Sequence, residues 1–583
     1  MQTIDWIVLI GTLVTIVGYG TYQTRGSKNV EDFLKGGNNS KWWTIGLSVM
    51  ATQASAITFL STPGQAFNDG MGFVQFYFGL PLAMVIICMV FIPLYHKLKV
   101  YTAYEFLENR FDKKTRTLTA VLFLIQRGLA AGITIFAPAI ILSVVLGWNL
   151  ILLNIIIGIL VIIYTVSGGT KAVNVTQKHQ MIVIFTGMVI AFILIMHQLP
   201  ADITFKKAVD IAGASGKMEV LDFSFDLDNR YTIWSGLIGG TFLMLSYFGT
   251  DQSQVQRYLS GKSIKEMQLG LVFNGLLKVP MQFFILFIGV MVFVFYQFNA
   301  SPLNFNPTAT EVVLNSEYAQ DYKKLEKEHA NLFELKQKLI TDYKDASAAK
   351  ILNITHQVDK NREAAKLLIE KAGDSKDLKV ETNDKDYVFI HFILNNLPRG
   401  LIGLLLAVIL SAAMSSTASE LNALASTTTI DLYQNESNKN NDKQMLKVSR
   451  VFTLLWGILA IGIACIANLA ENLIQLVNII GSIFYGNVLG IFLLAFFFKH
   501  VKANAVFISA LITQIIIIML FGLNEFEYIK LPFLWLNFVG CLLAIIIALI
   551  ISLKDATPKS KGILVILSSL LIAFGYLIYE NSI

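Results

Sequence analysis

Apolar runs of about twenty residues, separated by short polar loops, fill almost the whole chain. They fall near 4–22, 42–66, 73–96, 117–146, 149–166, 179–198, 232–250, 269–297, 387–428, 449–468, 473–498, 504–522, 531–552 and 562–579. Each is long enough to cross a hydrocarbon core of about 30 Å as a helix, and helices satisfy their own backbone polar groups in lipid. The pattern predicts an all-α polytopic membrane protein with about 14 transmembrane helices. Composition agrees: of 583 residues 55% are hydrophobic and 15% charged, more apolar residue than one soluble core would use.

The pattern breaks once on a large scale. From 315 to 386 it turns rich in Lys, Glu and Asp, with Leu325, Leu332, Leu335 and Leu339 at helical spacing and a second apolar group at Ala364, Leu367 and Leu368. This divides the chain into an N-terminal membrane part (1–314), a charged helical insert (315–386) and a C-terminal membrane part (387–583). A helix pair packed on itself or on the membrane face is expected of the insert, and no partner for it follows from its residues.

Two membrane runs are interrupted internally. In the second, Thr52, Gln53, Ser55 and Thr58 precede Pro63-Gly64; in the seventh, Gly236, Gly239, Gly240 and Gly249 precede Thr250-Asp251-Gln252. Broken helices are tolerated at bilayer depth only where the freed backbone lines a cavity. Their offset of five runs is that of an inverted repeat of five plus five helices.

Charge sets orientation. Arg25, Lys28, Lys35 and Lys41 follow the first run and none precedes it, the reverse of a secretory signal, so the N terminus is expected outside. Lys97, Lys113, Arg257, Lys443 and Lys554 then share the cytoplasmic side, which places the insert and both termini of this inner-membrane protein outside the cell. The net charge of +6 follows from this asymmetry, so nucleic acid is not expected as a partner; the lipid bilayer is. Cys88, Cys465 and Cys541 are scattered, and the seven histidines form no metal-binding cluster. Asp222, Asp226 and Asp228 lack the glycine and terminal Glu of a calcium loop. No nucleophile with a base is visible, so an enzyme is not expected.

The chemistry concentrates in Leu410-Ser411-Ala412-Ala413-Met414-Ser415-Ser416. Together with Thr417 and Ser419 it sets more hard oxygen into an apolar run than a buried helix uses, which suits a small cation such as sodium; close helix packing through small residues is the other reading. Intramembrane Arg127 and Lys278 are solute-site candidates, with snorkelling to the headgroups left open for both.

Four segments carry a resemblance: Tyr101 to Phe111, Ser167-Gly168-Gly169-Thr170-Lys171-Ala172-Val173, Gly249 to Lys262 and Ala412 to Ser416. In this order they resemble the sodium:solute symporter family, from about residue 1 to 552 apart from the insert. The resemblance implies a LeuT-type fold, alternating access and uptake driven by Na⁺ as the coupling ion, with no organic cofactor. It implies a sodium site at the carbonyls of Ala51, Ala54 and Ala412 and the hydroxyls of Ser415 and Ser416. Gln177 stands where some relatives carry an acidic ligand for a second ion, and Ala418 where they carry a hydroxyl, so one sodium per cycle is expected. Lys278 matches a lysine that contacts substrate in sugar-transporting relatives. Tyr77 takes the place of their glutamate, and Thr58 and Asn478 the places of their glutamines. Gln53, Thr58, Tyr77, Arg127, Tyr247, Lys278 and Asn478 are therefore the substrate-site candidates, with Tyr247 either closing the cavity or packing helices.

The reading that results is a sodium-coupled symporter importing a small polar solute, an organic anion or a sugar-like compound. Two alternatives are a proton-coupled carrier of the same fold and a transporter-like sensor. The first wants a carboxylate at the centre of the second or ninth run, where none is read. The second wants a signalling module, and only a short loop and one run follow Ser552.

Overall fold

The structure, a computed structural model, describes residues 1–24, 40–98, 102–226, 229–341, 348–376, 380–434, 442–466 and 472–582. Arg25, Lys28, Lys35, Tyr101 and Asp228 lie outside these residues, as do the side chains of 167–176 and Lys178. Ten helices among the described residues are long and apolar enough to cross a membrane, and three shorter apolar helices accompany them.

Runs and helices do not correspond one to one. The first run is α1 (Thr3–Thr24). The second divides into α2 (Trp42–Gln53) and α3 (Ala56–Asp69). A 3-10 segment, Gly70–Tyr77, then leads into α4 (Gly79–Ile86), a π turn at Ile87–Phe91 and α5 (Ile92–Leu98). After α6 (Glu105–Arg110) comes α7 (Lys113–Leu146), capped by Asp112, whose carboxylate accepts the Thr115 N–H at 2.8 Å. The fifth and sixth runs join as one helix of 49 residues, α8 (Leu150–Gln198).

The short α9 (Phe205–Ala214) precedes the seventh run, which enters through a π turn at Ser235–Gly239, continues as α10 (Gly240–Gly249) and resumes after a break as α11 (Gln252–Tyr258). Next come α12 (Ile264–Phe298), α13 (Pro307–Leu314) just before the charged segment, and the segment's own α14 (Ala319–Thr341) and α15 (Ala348–Asp374). These last three close a small core of their own around Val313, Tyr322, Ala365 and Ile369.

The ninth run forms α16 (Lys385–Asn396) and α17 (Leu401–Thr427), the latter extended by a π turn at Thr428–Tyr433. Then follow α18 (Asp442–Ile466), α19 (Leu473–Phe497), α20 (Ala503–Glu525), α21 (Phe533–Ile551) and α22 (Pro558–Ser582).

Burial locates the centre of the bundle. The most apolar window of Leu401–Tyr433 is 83% buried against 6% for Pro558–Glu580, so α17 runs through the middle and α22 presents its apolar surface to lipid. Around α17 pack α1, α7, α8 and α18, with α2 and α3 also against it. Glycine permits the tightest approaches to α3: a Cβ on Gly64 would lie 1.8 Å from the Lys385 carbonyl, and one on Gly289 of α12 2.2 Å from the Pro63 carbonyl.

The position of the first break corrects the expectation from sequence. Pro63 and Gly64 lie inside α3, and the chain instead leaves helical geometry at Ala54 (ψ 63°) and Ser55 (ψ 179°). The second break falls at Thr250 and Asp251, where the Gly249 end was read; Asp251 caps α11 by accepting the Ser253 N–H at 2.9 Å.

Candidate functional site

The α2–α3 break redirects backbone bonds. The Thr58 N–H, which in an unbroken helix would serve the Ala54 carbonyl, bonds to the Ser55 carbonyl at 2.9 Å, while the Thr58 hydroxyl donates to the Gln53 carbonyl at 3.3 Å. Ala54 O is thereby released from the helical ladder.

On α17 the five hydroxyls singled out in the sequence sort into two kinds. Thr417 donates to the Ala413 carbonyl at 3.0 Å and Ser419 to the Ser415 carbonyl at 2.9 Å, the usual way a helix quiets a hydroxyl. Ser411 is held by the Gln180 amide, whose Nε2 donates to its Oγ at 2.6 Å. Ser415 Oγ and Ser416 Oγ are buried and have no hydrogen-bond partner among the described residues. Buried hydroxyls are ordinarily satisfied, so two adjacent exceptions, with Ser416 lining the same cavity as Gln53 and Ser55 of the break, call for a ligand.

A cavity of about 80 Å³ opens beside them, walled by both halves of the broken second run and by α7, α10, α17 and α19. Of the sequence candidates, Gln53, Thr58, Tyr77, Arg127, Tyr247, Asn478 and Ser416 line it. Lys278 does not; it lies behind the wall, its fully buried ammonium 5.7 Å from the centre of the Tyr77 ring and without a hydrogen-bond partner. Asn478 returns its amide to the Ile474 carbonyl at 2.7 Å.

Arg127 is no free cation. Its guanidinium pairs with Asp251, lies 3.0 Å from Glu420 Oε1 and donates to the Tyr485 hydroxyl at 2.7 Å, all buried. Thr134 donates to the other Glu420 oxygen at 2.8 Å. Snorkelling is thus excluded, because the arginine is tied into α11 and α17 rather than reaching for headgroups. Only its Nε lacks a partner. Tyr247 lies under the guanidinium, 5.5 Å from ring centre to carbon, and takes the Gln254 amide on its hydroxyl at 2.6 Å.

Sequence reading missed Glu420, and with it the statement that the ninth run carries no central carboxylate fails. The residue stands one turn beyond Ser416, so an i, i+4 pattern on the face carrying the hydroxyls was the available signal.

The position at which a second ion would need an acid is filled by amides. Ser48 Oγ donates to Gln177 Oε1 at 2.8 Å, and Gln177 Nε2 donates to Thr52 Oγ1 at 3.3 Å. Neither contact adds a negative charge.

Comparison with known proteins places this geometry. The sodium:solute symporter family matches residues 33–323 and 369–513. The chain is 25% identical over 528 residues to a mouse sodium-coupled monocarboxylate transporter 2, covering 90% of this chain and 73% of that protein. It is 26% identical over 528 residues to a sodium/sialic acid symporter of Proteus mirabilis, covering 88% and 89%. A solved substrate-bound, outward-open Na⁺-coupled sialic acid symporter superposes with a TM-score of 0.71 at 24% identity, covering 95% of this chain and 98% of that one. That likeness carries the fold.

Proposed function

The chain belongs to the sodium:solute symporter family and is a multi-pass, sodium-coupled transporter of the LeuT-type fold, not an enzyme; from that premise we propose that it imports a small organic anion by alternating access. The observation that supports this reading is the pair of adjacent unpartnered hydroxyls, Ser415 and Ser416, the second of them in the wall of a cavity also lined by Arg127 and Glu420, with Asp251 paired to Arg127 behind it.

Sodium is taken by the carbonyls of Ala51, Ala54 and Ala412 and by the two serines. Neutral oxygens replace a hydration shell yet leave the ion weakly enough held to be released. One ion is expected per cycle, since amides stand at the second position.

Charge orders the binding events. With both carboxylates ionised, one arginine and two acids leave the cavity at net −1. Sodium is attracted there, and an anionic solute is repelled until the ion arrives. At roughly 8 Å and an effective dielectric of about 20, each such unit-charge interaction amounts to about 2 kcal/mol. Coupling follows because sodium then binds more tightly to the conformation that accepts solute. Inward movement of one sodium at about 100 mV contributes roughly 2.3 kcal/mol more.

Size favours a small solute. A cavity of about 80 Å³ holds on the order of five to eight water-sized groups, which suits a short monocarboxylate better than a sugar acid. Arg127 Nε, buried without a partner among the described residues, is the donor left for a carboxylate, with Tyr247 across the cavity, and Gln53 Oε1 can accept only from a hydroxyl such as that of a hydroxy acid.

The test is uptake of labelled acetate, lactate and sialic acid into proteoliposomes. Uptake of the short acids under an inward Na⁺ gradient and its loss in choline supports the reading; uptake indifferent to sodium overturns it. Glu420 keeps a second reading in play, proton coupling, which uptake driven by a pH gradient without sodium would select.

A further inference from the structure

A second cavity, of about 50 Å³, lies between the charged helices α14 and α15 and the membrane helices α3 and α12, well apart in residues from the sodium and solute site. Its wall is basic. Lys217, Lys336, His329 and Arg362 all face it, and two of the cations share one aromatic ring: the ammonium of Lys217 lies 5.2 Å and that of Lys336 4.9 Å from the centre of Phe293.

The charges do not cancel locally. Arg362 is matched by Asp384 at 2.6 Å, and Lys385 by Asp69 at 2.8 Å. That leaves Lys217 and Lys336 facing one acid, Asp359, which is solvent-exposed at the rim. Lys217, 7% exposed, donates to the Asn68 carbonyl. Lys336, 5% exposed, has the ring face and no hydrogen-bond acceptor among the described residues. A largely buried ammonium with little beside it but a ring face and a second ammonium is costly to hold, because an aromatic face compensates only in part for lost water. His329 points the same way: Nε2 meets the Ser301 hydroxyl at 3.1 Å, while Nδ1 is buried without a partner.

We propose that this cavity is a binding site for a small monovalent anion, held by the ammoniums of Lys336 and Lys217 with His329 as a further donor. Its volume admits about three to five water-sized groups, hence chloride or a short carboxylate and nothing larger. One negative charge completes the local balance of two lysines against Asp359. Burial and the neighbouring Lys217 push the Lys336 ammonium down to about 7, the response of a cation without its counter-ion, which a bound anion would reverse. The anion joins the charged segment to α3 and α12, and α3 is the helix that starts at the break by the sodium site. Occupancy therefore secures the charged helices against α3 and α12.

The experiment is thermal unfolding of the full-length protein in detergent at fixed Na⁺, with gluconate, too large for the cavity, replaced by chloride or by acetate. Saturating chloride is expected to raise the melting temperature by several degrees. A response to acetate alone that Lys336→Met removes would assign the site to carboxylates, and a response to both anions removed by the same change would assign it to small anions generally; an acetate response kept in Lys336→Met belongs to the transport cavity and, without a chloride response, overturns the proposal. Lys336→Met is expected to melt higher than the parent in gluconate, because it removes an unpaired buried charge, and to need at least tenfold more chloride for any shift. Lys217→Gln gives a second, milder loss should the methionine variant fail to fold. Ser416→Ala must keep the chloride response, which separates this site from the transport cavity. Equal melting of the parent in all three salts, or an undiminished chloride shift in both lysine variants, overturns the proposal.

Discussion

Arg127 Nη1 on α7 lies 3.0 Å from Glu420 Oε1 on α17, and Glu420 in turn stands one turn from Ser416. A cation that cannot titrate and an acid are thereby set beside an unpartnered hydroxyl in one cavity wall. The ion site and the charged cluster share a helix face, so a charge arriving at one is felt at the other.

Ser416→Ala and Ser415→Ala should each raise half-maximal sodium about tenfold, the scale of one lost charge-assisted contact of about 1.5 kcal/mol, with folding intact. Thr417→Ala and Ser419→Ala are the controls, because those hydroxyls are spent on carbonyls of their own helix. Sodium-activation curves decide it: unchanged half-maximal sodium in the first pair would move the site elsewhere.

Glu420→Gln brings the cluster from net −1 to neutral while leaving Arg127 its contact with Asp251. Sodium should bind several-fold more weakly, and an anionic solute should bind in its absence better than to the parent. The ratio of solute Kd without and with sodium, measured by calorimetry, should fall; a rise would reverse the sign of the charge argument. Arg127→Gln is the contrasting variant. It strands two buried carboxylates and should cost about 3–5 kcal/mol of stability.

Length and periodicity sufficed for the fold class, because lipid admits few backbone solutions and apolar runs reveal them. They did not locate the first break. Pro63-Gly64 looks like punctuation, yet Gly64 is there for the approach of Lys385 and the helix runs on through it, whereas Ala54-Ser55 carries neither glycine nor proline. The site was legible in part. Counting hydroxyls picks out the stretch of α17 that holds the two unpartnered ones but does not tell Thr417, bonded back to its helix, from Ser416, which is not. The charged cluster was illegible as a unit: Arg127, Asp251 and Glu420 stand more than a hundred residues apart and meet only through packing.

Gly64→Ala should be severe for its size. The added methyl would fall 1.8 Å from a backbone carbonyl, so α3 and α16 must separate, and the second helix of the broken pair moves with them. A loss of several degrees in melting temperature together with most uptake is expected. Gly575→Ala, with nothing within 4 Å of the new methyl, should be neutral or slightly stabilising through helix propensity. Equal melting of the two variants would show that the α3–α16 contact is looser than drawn.

Glu381 gives the charged segment a pH dependence of definite sign. Its Oε2 accepts the Tyr387 hydroxyl at 2.6 Å, its Oε1 is buried without a partner, and burial with Asp384 and Asp386 nearby pushes its carboxyl up to about 8 from 4.5. Between those values the folded protein holds a proton that the unfolded chain has released, so stability falls as pH rises through the window. Lys336, pushed down to about 7, acts oppositely above that value, and His329, pushed down by burial to about 4, acts oppositely between about 4 and 6.5, while burial pushes Asp386 up to about 6 and adds to the Glu381 trend below that value, so Glu381 is isolated by the difference between parent and variant. Glu381→Gln, uncharged throughout, should match the parent near pH 4.5, exceed it increasingly towards pH 7 and flatten the slope of melting temperature against pH. A parent and variant with parallel slopes across that range would place the proton on another group.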